Sequence, residues 1–318
     1  MASSPYKVLV LGAGASLAYG FPLGKDLRHR ILNIGVQTAK LSGLVRERFE
    51  EQDIRLLTKF QESFRSSQLY SIDGFLGKRP SFSDIGKKCI AQILLACEGS
   101  KELFSEKDGK DHWYQYLFNH IAQRDWDDLT FDDLAVVTFN YDRSLEHFLY
   151  VTLQSAYGKS AADAAKKLKQ LRIVHVYGSL CEHLPEEPGY RSCDGKFDME
   201  KVEAAAKGLV VIPEGRVDSE TLVTARKWLS NARSICFLGF GFDDMNVDRL
   251  AADEACAYYR HLSTGNTARR IVGTCKGMTW LEISSAYGRL TKQSLNKPEQ
   301  LFHDQNCTQA LRETLFLK

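Results

Sequence analysis

The chain has 318 residues, 44% of them hydrophobic, enough to bury the core of one large α/β domain. Its 42 basic residues balance 40 acidic ones, and a formal charge of +2 gives no footprint for direct nucleic-acid binding. No apolar run reaches membrane-spanning length, and the opening MASSPYK lacks the charged head and apolar centre of a signal peptide, so no membrane attachment and a cytoplasmic location are expected.

Cysteine usage agrees with that location. Cys89, Cys97, Cys181, Cys193, Cys236, Cys256, Cys275 and Cys307 never form C-x-x-C, and several sit in apolar or helical contexts. They are expected as buried reduced thiols, with neither disulfides nor a structural zinc.

In chain order, Val8 to Leu11 predict a short buried strand, and Gly12 and Gly14 a tight strand-to-helix turn whose amides face an anion. The third glycine of a dinucleotide fingerprint is replaced by Leu17, and no acidic residue follows about 20 positions on to grip a ribose hydroxyl. Gly20-Phe21-Pro22 then leads into a helical pattern from Asp26 to Ile34. Residues 41–126 have a different texture. Leu44, Val45, Phe49, Ile54, Leu57, Phe60 and Phe64 recur at three and four, and Ile85 to Glu98 and Trp113 to Ile121 repeat the pattern, which predicts a helical insertion.

Strand signals return at Leu134 to Thr138, Arg172 to Tyr177, Leu209 to Ile212, Ile235 to Leu238 and Arg270 to Thr274. Helical patterns separate most of them, so the chain is expected to be a single Rossmann-like α/β domain over 1–318, a doubly wound parallel sheet of about six strands. The lysine-bearing stretch from Lys159 to Lys169 predicts a solvated helix face, and Glu182 to Asp198 a surface loop.

Ligands of such sheets sit beyond the carboxyl ends of the strands. Four of the expected strands run into polar or glycine-rich segments there: Gly12 to Ser16; Thr138-Phe-Asn140-Tyr-Asp142; His175-Val-Tyr177-Gly178-Ser179; and Gly239-Phe-Gly241 followed by Asp243 to Asn246.

G-A-G-x-S-x-x-x-G-F-P, T-x-N-x-D, a strand ending in Gly-Ser and a strand into G-x-G, in this order over about residues 7–250, resemble the NAD-binding core of the sirtuin-like superfamily. The Asn140-Tyr-Asp-Arg-x-Leu-Glu146 form and Ser71 to Leu76 look nearest to the sirtuin-like NAD hydrolases of bacterial antiphage defence. The zinc-holding C-x-x-C pairs of sirtuin deacylases are missing, and Leu23-Gly24-Lys25 replaces their Asp-Phe-Arg after the proline, which disfavours lysine deacylation. The family histidine normally stands directly before Gly-Ser. Here Tyr177 holds that place, and His175, two residues earlier on the same expected strand, is taken to face the same side.

The resemblance implies an NAD+ glycohydrolase with NAD+ as substrate and no metal. Asn140 would hold the nicotinamide ribose and the attacking water, Asp142 would order the loop, and His175 would act as base. Helix capping remains an alternative for Asn140 and Asp142, and a hydrogen-bonded core role for His175. Gly12, Gly14 and Ser16 would bind the diphosphate; Tyr177 would contact a ribose or cap the strand by packing; Ala13, Phe21, Gly178 and Ser179 would complete the cofactor site; Gly239 and Gly241 would approach the adenosine half. Asp244 and Asn246 would hold adenosine hydroxyls or, more simply, cap the next helix. A homo-oligomer and a separate protein partner acting as sensor or activator are implied as well. Two other activities stay open: a non-catalytic module that binds NAD or ADP-ribose, and ADP-ribosyl transfer.

Overall fold

The computed structural model describes residues 7–41, 44, 50–99, 101–181, 184–211, 219–250, 270–291 and 302–317. β1 (Lys7–Leu11) is followed by α1 (Ala13–Ser16), a single 3₁₀ turn over Leu17–Tyr19, and helices α2 (Gly24–Leu32), α3 (Val36–Leu41), α4 (Glu50–Ser67), α5 (Ile72–Lys78), α6 (Ser83–Glu98) and α7 (Trp113–Ile121). β2 (Leu134–Thr138), α8 (Ser144–Tyr157), α9 (Ala161–Leu168) and β3 (Arg172–His175) come next, then α10 (Met199–Gly208), α11 (Glu220–Asn231), β4 (Ser234–Leu238) and α12 (Asp244–Leu250). β5 (Arg270–Thr274), α13 (Trp280–Thr291), β6 (Phe302–His303) and α14 (Cys307–Glu313) complete the order.

The six strands form one sheet in the order β3-β2-β1-β4-β5-β6, and every pairing is parallel. Parallel strands need crossovers of one hand, so the chain running outward in two directions from β1 and β4 puts helices on both faces. β1 lies between two neighbours under two helical layers, which is why KVLVL reads as a continuous apolar run and Val8, Leu9 and Val10 are fully buried. The strand order reverses between β1 and β4, the crevice where ligands of such folds bind.

Register places the chemistry. Leu11 pairs with Thr138 on one side and Leu238 on the other, and Thr138 pairs with His175. Four strands therefore end at one level, and the segments beginning at Gly12, Phe139, Val176 and Gly239 leave the sheet together.

Two strand expectations need correction. Leu209 to Ile212 is no strand within its described part: Leu209 makes an isolated antiparallel bridge to Gly178, and Val210 N–H donates to Tyr177 O at 2.8 Å, while Ile212 lies outside the described residues. Those contacts tie α10 to the end of edge strand β3, a position that its β-branched residues fit equally well. The sixth strand is instead Phe302–His303, paired with Gly273 and Thr274 and too short to show any periodicity. The third strand also ends at His175; Val176 and Tyr177 form a turn closed by Gly178 N–H to His175 O.

The helical insertion between β1 and β2 has a core of its own. Phe60, Phe64, Phe75 and Phe82 meet at centroid distances from 4.9 to 6.1 Å, and the buried face of α6 packs against both α5 and α10. Each such buried ring contributes about 1.5–3 kcal/mol. Val45 and Phe49 of the same expected pattern, and Cys256, lie outside the described residues. At the other end, the Asp111 carboxylate accepts the N–H groups of Cys307 at 2.7 Å and Thr308 at 2.9 Å, docking α14 beside α7. No helix of the described residues is long and apolar enough to cross a membrane.

Candidate functional site

The glycines at the crevice interlock the two strand-end loops. A Cβ on Gly12 would lie 2.6 Å from Gly239 O, and one on Gly14 would lie 2.8 Å from Gly239 Cα. Gly239 adopts φ 56°, which an L side chain rarely tolerates, and its backbone packs directly on Gly14 and Ala15. Gly14 N–H donates to Gly239 O at 3.0 Å and Ala15 N–H to Gly12 O at 2.9 Å. Two of the amides expected to face an anion are thus bonded within the chain. Ala13 opens the one-turn α1, and Gly20, at φ 92°, turns the chain so that Phe21 is buried with its N–H on Ser16 O. Gly241 has open space around it.

Asn140, 9% exposed, joins this turn to the end of β2. Its backbone N–H donates to Thr138 Oγ1, and its side-chain Nδ2 donates to both Gly12 O and Ser16 Oγ at 3.0 Å. Ser16 in turn hydrogen-bonds Asp142. Asp142 Oδ1 also accepts the N–H of Ser144 at 3.1 Å and its hydroxyl. Ser144 Oγ lies 2.6 Å from the Tyr114 hydroxyl, and Tyr114 stacks on Tyr19 at 3.7 Å between centroids. Burial raises the Asp142 pKa above the ordinary range despite the bonds from Ser144 and Ser16, and the nearby Glu146 carboxylate adds to the rise. Of the two residues for which capping was an alternative, Asn140 bonds the glycine turn and Asp142 accepts the first N–H of α8, whose N-cap position is Arg143.

His175 sits directly behind Asn140. Its Nδ1 is 2.9 Å from Asn140 O and its Nε2 is 2.7 Å from Glu146 Oε1. A carbonyl only accepts, so Nδ1 carries a proton, and the carboxylate calls for one on Nε2. Burial opposes that charge, but Glu146 and the Asn140 carbonyl outweigh it and hold the imidazole pKa above its ordinary value. In that protonated form both nitrogens donate and His175 tethers β2 to α8; the base role expected of it would require it to give up the proton that Glu146 holds.

A cavity of about 430 Å³ opens beside this tether along edge strand β3. His175, Glu146, Ile173, Leu184, Tyr190 and Arg143 are among its walls. The Arg143 and Glu98 side chains, 5% and 3% exposed, pair at 2.8 Å. Arg143 also donates to Arg191 O at 3.0 Å and lies over the Tyr190 ring. His147, one residue after Glu146, is the opposite of His175: burial and the adjacent Arg143 charge pull its pKa below the ordinary value, and its Nδ1 is buried without a partner. A smaller pocket containing Phe21 and Tyr19 abuts the cavity at Arg143 and His147.

Tyr177 does not share a side with His175, because the strand ends between them. Its hydroxyl donates to Asn246 Oδ1 and accepts from Arg249 Nη1, both on α12. Gly178, at φ 71°, lies against the Gly208 carbonyl, and Ser179 Oγ donates to Cys181 O at 2.8 Å, so both brace the loop. Asp244 is turned away to Arg289 on α13. The cap of α12 is Asp243, whose Oδ1 accepts from Met245 N and Asn246 N.

Sequence reasoning assigned no role to Glu146, Arg143, Glu98 or Arg249. Glu146 lies in the first turn of α8, where a carboxylate reads as a complement to the helix dipole. Among the described residues, no group of three or more His, Cys, Asp or Glu side chains is placed to hold a metal, and no disulfide joins the seven described cysteines. Compared with known proteins, the chain matches no family model and no curated protein.

Proposed function

We propose that the chain is an NAD+ glycohydrolase that breaks the nicotinamide N-glycosidic bond and releases nicotinamide and ADP-ribose. The supporting observation is the continuous chain Ser16, Asn140, His175, Glu146, which runs from the glycine turn to the cavity along edge strand β3. The motif resemblance to sirtuin-like NAD hydrolases points the same way.

The chemistry asks little of an acid. The C1′–N bond breaks with its electron pair going to nicotinamide, which leaves as a neutral base from a cationic pyridinium. What remains is to stabilise an oxocarbenium-like ribose and direct water at C1′. Both Nδ2 protons of Asn140 are committed to Gly12 and Ser16, so its Oδ1 is the atom that accepts from the ribose hydroxyl or the water. The Glu146 carboxylate takes the proton that water loses as the O–C1′ bond forms. The charged His175 holds that carboxylate and the Asn140 backbone in place, a positioning role.

The same reading includes depletion of NAD+ in antiphage defence, a cytoplasmic location, assembly into a homo-oligomer and activation by a separate protein. A non-catalytic NAD or ADP-ribose module is the second reading. It is favoured by both ring nitrogens of His175 being engaged by Asn140 O and Glu146, which leaves the expected base occupied. Purified protein incubated with NAD+, with and without the products of neighbouring genes, decides between them. Release of nicotinamide that disappears in Glu146→Gln supports the enzyme; ligand binding without nicotinamide release supports the module.

A further inference from the structure

A second polar cluster faces the same end of the sheet and takes no part in the mechanism above. The Tyr141 hydroxyl donates to Asp73 Oδ1 on α5. Arg249, buried on α12, donates to the Tyr177 hydroxyl and lies 5.4 Å from the centre of that ring. Its charge also acts on the Asp73 carboxylate, on which Asp243 presses with the opposite sign. Asp73, Tyr141, Tyr177 and Arg249 come from the insertion, the β2 loop, the β3 turn and the helix after β4.

The rings connect this cluster to the glycine turn. Tyr177 meets Phe139 at 5.5 Å, Phe139 meets Phe240 at 5.0 Å, and Phe240 Cα lies 2.7 Å from where a Gly12 Cβ would stand. A buried guanidinium therefore stands on the α12 side of the crevice. Arginine suits such a place because its planar fork engages a phosphate with two parallel hydrogen bonds. The Asp73 carboxylate reaches the cluster through Tyr141, whose ring centre lies 6.3 Å from that of Tyr177, and is delivered by α5, whose Phe75 and Leu76 are buried in the core of the insertion.

We propose that Arg249 binds a phosphate group of the ligand, and that Asp73 occupies in this structure the electrostatic place that the phosphate takes. Ligand binding and the seating of α5 on Tyr141 then oppose one another, which makes the insertion a brake on the site. The identification of the phosphate as part of a dinucleotide rests on the function proposed above; the anion subsite does not.

Calorimetric titration of ADP-ribose and of inorganic pyrophosphate into the whole chain tests this, together with hydrogen exchange over Ile72–Lys78. Asp73→Asn is expected to bind ADP-ribose about tenfold more tightly than the wild type, and Arg249→Gln about tenfold more weakly. ADP-ribose is expected to speed exchange over α5 in the wild type. The same ranking with pyrophosphate, and no binding of ADP-ribose, upholds the subsite and removes the dinucleotide reading. ADP-ribose binding that neither variant alters overturns the subsite and leaves that reading standing. Absence of binding by either anion in folded protein overturns both. If Arg249→Gln does not fold, Asp73→Asn decides, and an affinity equal to or below the wild type refutes the proposal.

Discussion

His175 and Tyr177 stand two residues apart and belong to different faces of the sheet. His175 points to α8, where Glu146 holds its ring and a cavity opens. Tyr177 points to α12, where Arg249 and Asn246 hold its hydroxyl. One side is built as a chain of charged groups leading to open space. The other, at the β1/β4 crevice, is interlocked glycine backbone and packed aromatic rings. The difference shows that the last residue of a strand, more than its side-chain alternation, decides which helical layer a functional residue serves. It also separates the two jobs proposed above, bond cleavage on the α8 side and anion capture on the α12 side.

The sharpest way to break that separation is Asn140→Ala, which touches both sides through Gly12 and His175. Nicotinamide release is expected to fall about 100- to 1000-fold, with a much smaller change in ADP-ribose affinity. Equal losses in both would show that Asn140 only binds. Next in size is Glu98→Ala, which strands the buried Arg143 charge beside the cavity. Urea unfolding is expected to show a loss of about 3–5 kcal/mol, with the slope unchanged. A loss below about 1 kcal/mol would mean that Arg143 finds water or another partner.

The α12 side predicts a contrast within one dipeptide repeat. Gly239→Ala meets the Gly14 and Ala15 backbone at positive φ and is expected to cost about 2 kcal/mol or more, whereas Gly241→Ala enters open space and is expected to be near neutral. Matching melting temperatures for the two variants would refute the interlock.

The smallest effect concerns pH. Because His175 is held charged, its contribution to stability is complete below about pH 6.5 and is lost as pH rises through the raised folded value. His147 has the opposite sign: the fold prefers it neutral, so its contribution is complete above about pH 6.5 and is lost as pH falls toward the depressed value. Stability of His175→Asn relative to the wild type, followed from pH 5 to 9, is expected to converge at the alkaline end. Activity is expected to decline over the same alkaline interval as the tether discharges. A rate that instead climbs through the histidine range would return His175 to the role of base.

Much of the architecture was legible because parallel strands buried on both faces leave unmistakable apolar runs, as at Val8 to Leu11 and Leu134 to Val137. Loops at their carboxyl ends followed from that. The misassigned strand at Leu209 and the missed one at Phe302 mark the limit: at two to four residues, an edge bridge and a strand have the same composition. For the site, Asn140 and Ser16 were visible as polar residues at strand ends. Glu146 and Arg249 were not, because each is an ordinary charged residue of a helix until the fold brings His175 or Tyr177 against it. The side on which Tyr177 falls depended on where β3 stops, which alternation alone does not encode.

The bond from Lys7 Nζ to Leu317 O, 2.8 Å long, brings the start of β1 and the turn after α14 together at the amino ends of the strands, opposite the site. Joining these neighbouring points through a short linker and reopening the chain at the exposed Gly158 turn would produce a circular permutant in which β3 precedes β1 along the chain while the spatial strand order is kept. In such a molecule the segments that carry Asn140 and His175 exchange their order of synthesis without leaving their places in the sheet. Connectivity and chemistry would thereby be uncoupled, and fusions attached at the new ends would stand clear of the crevice.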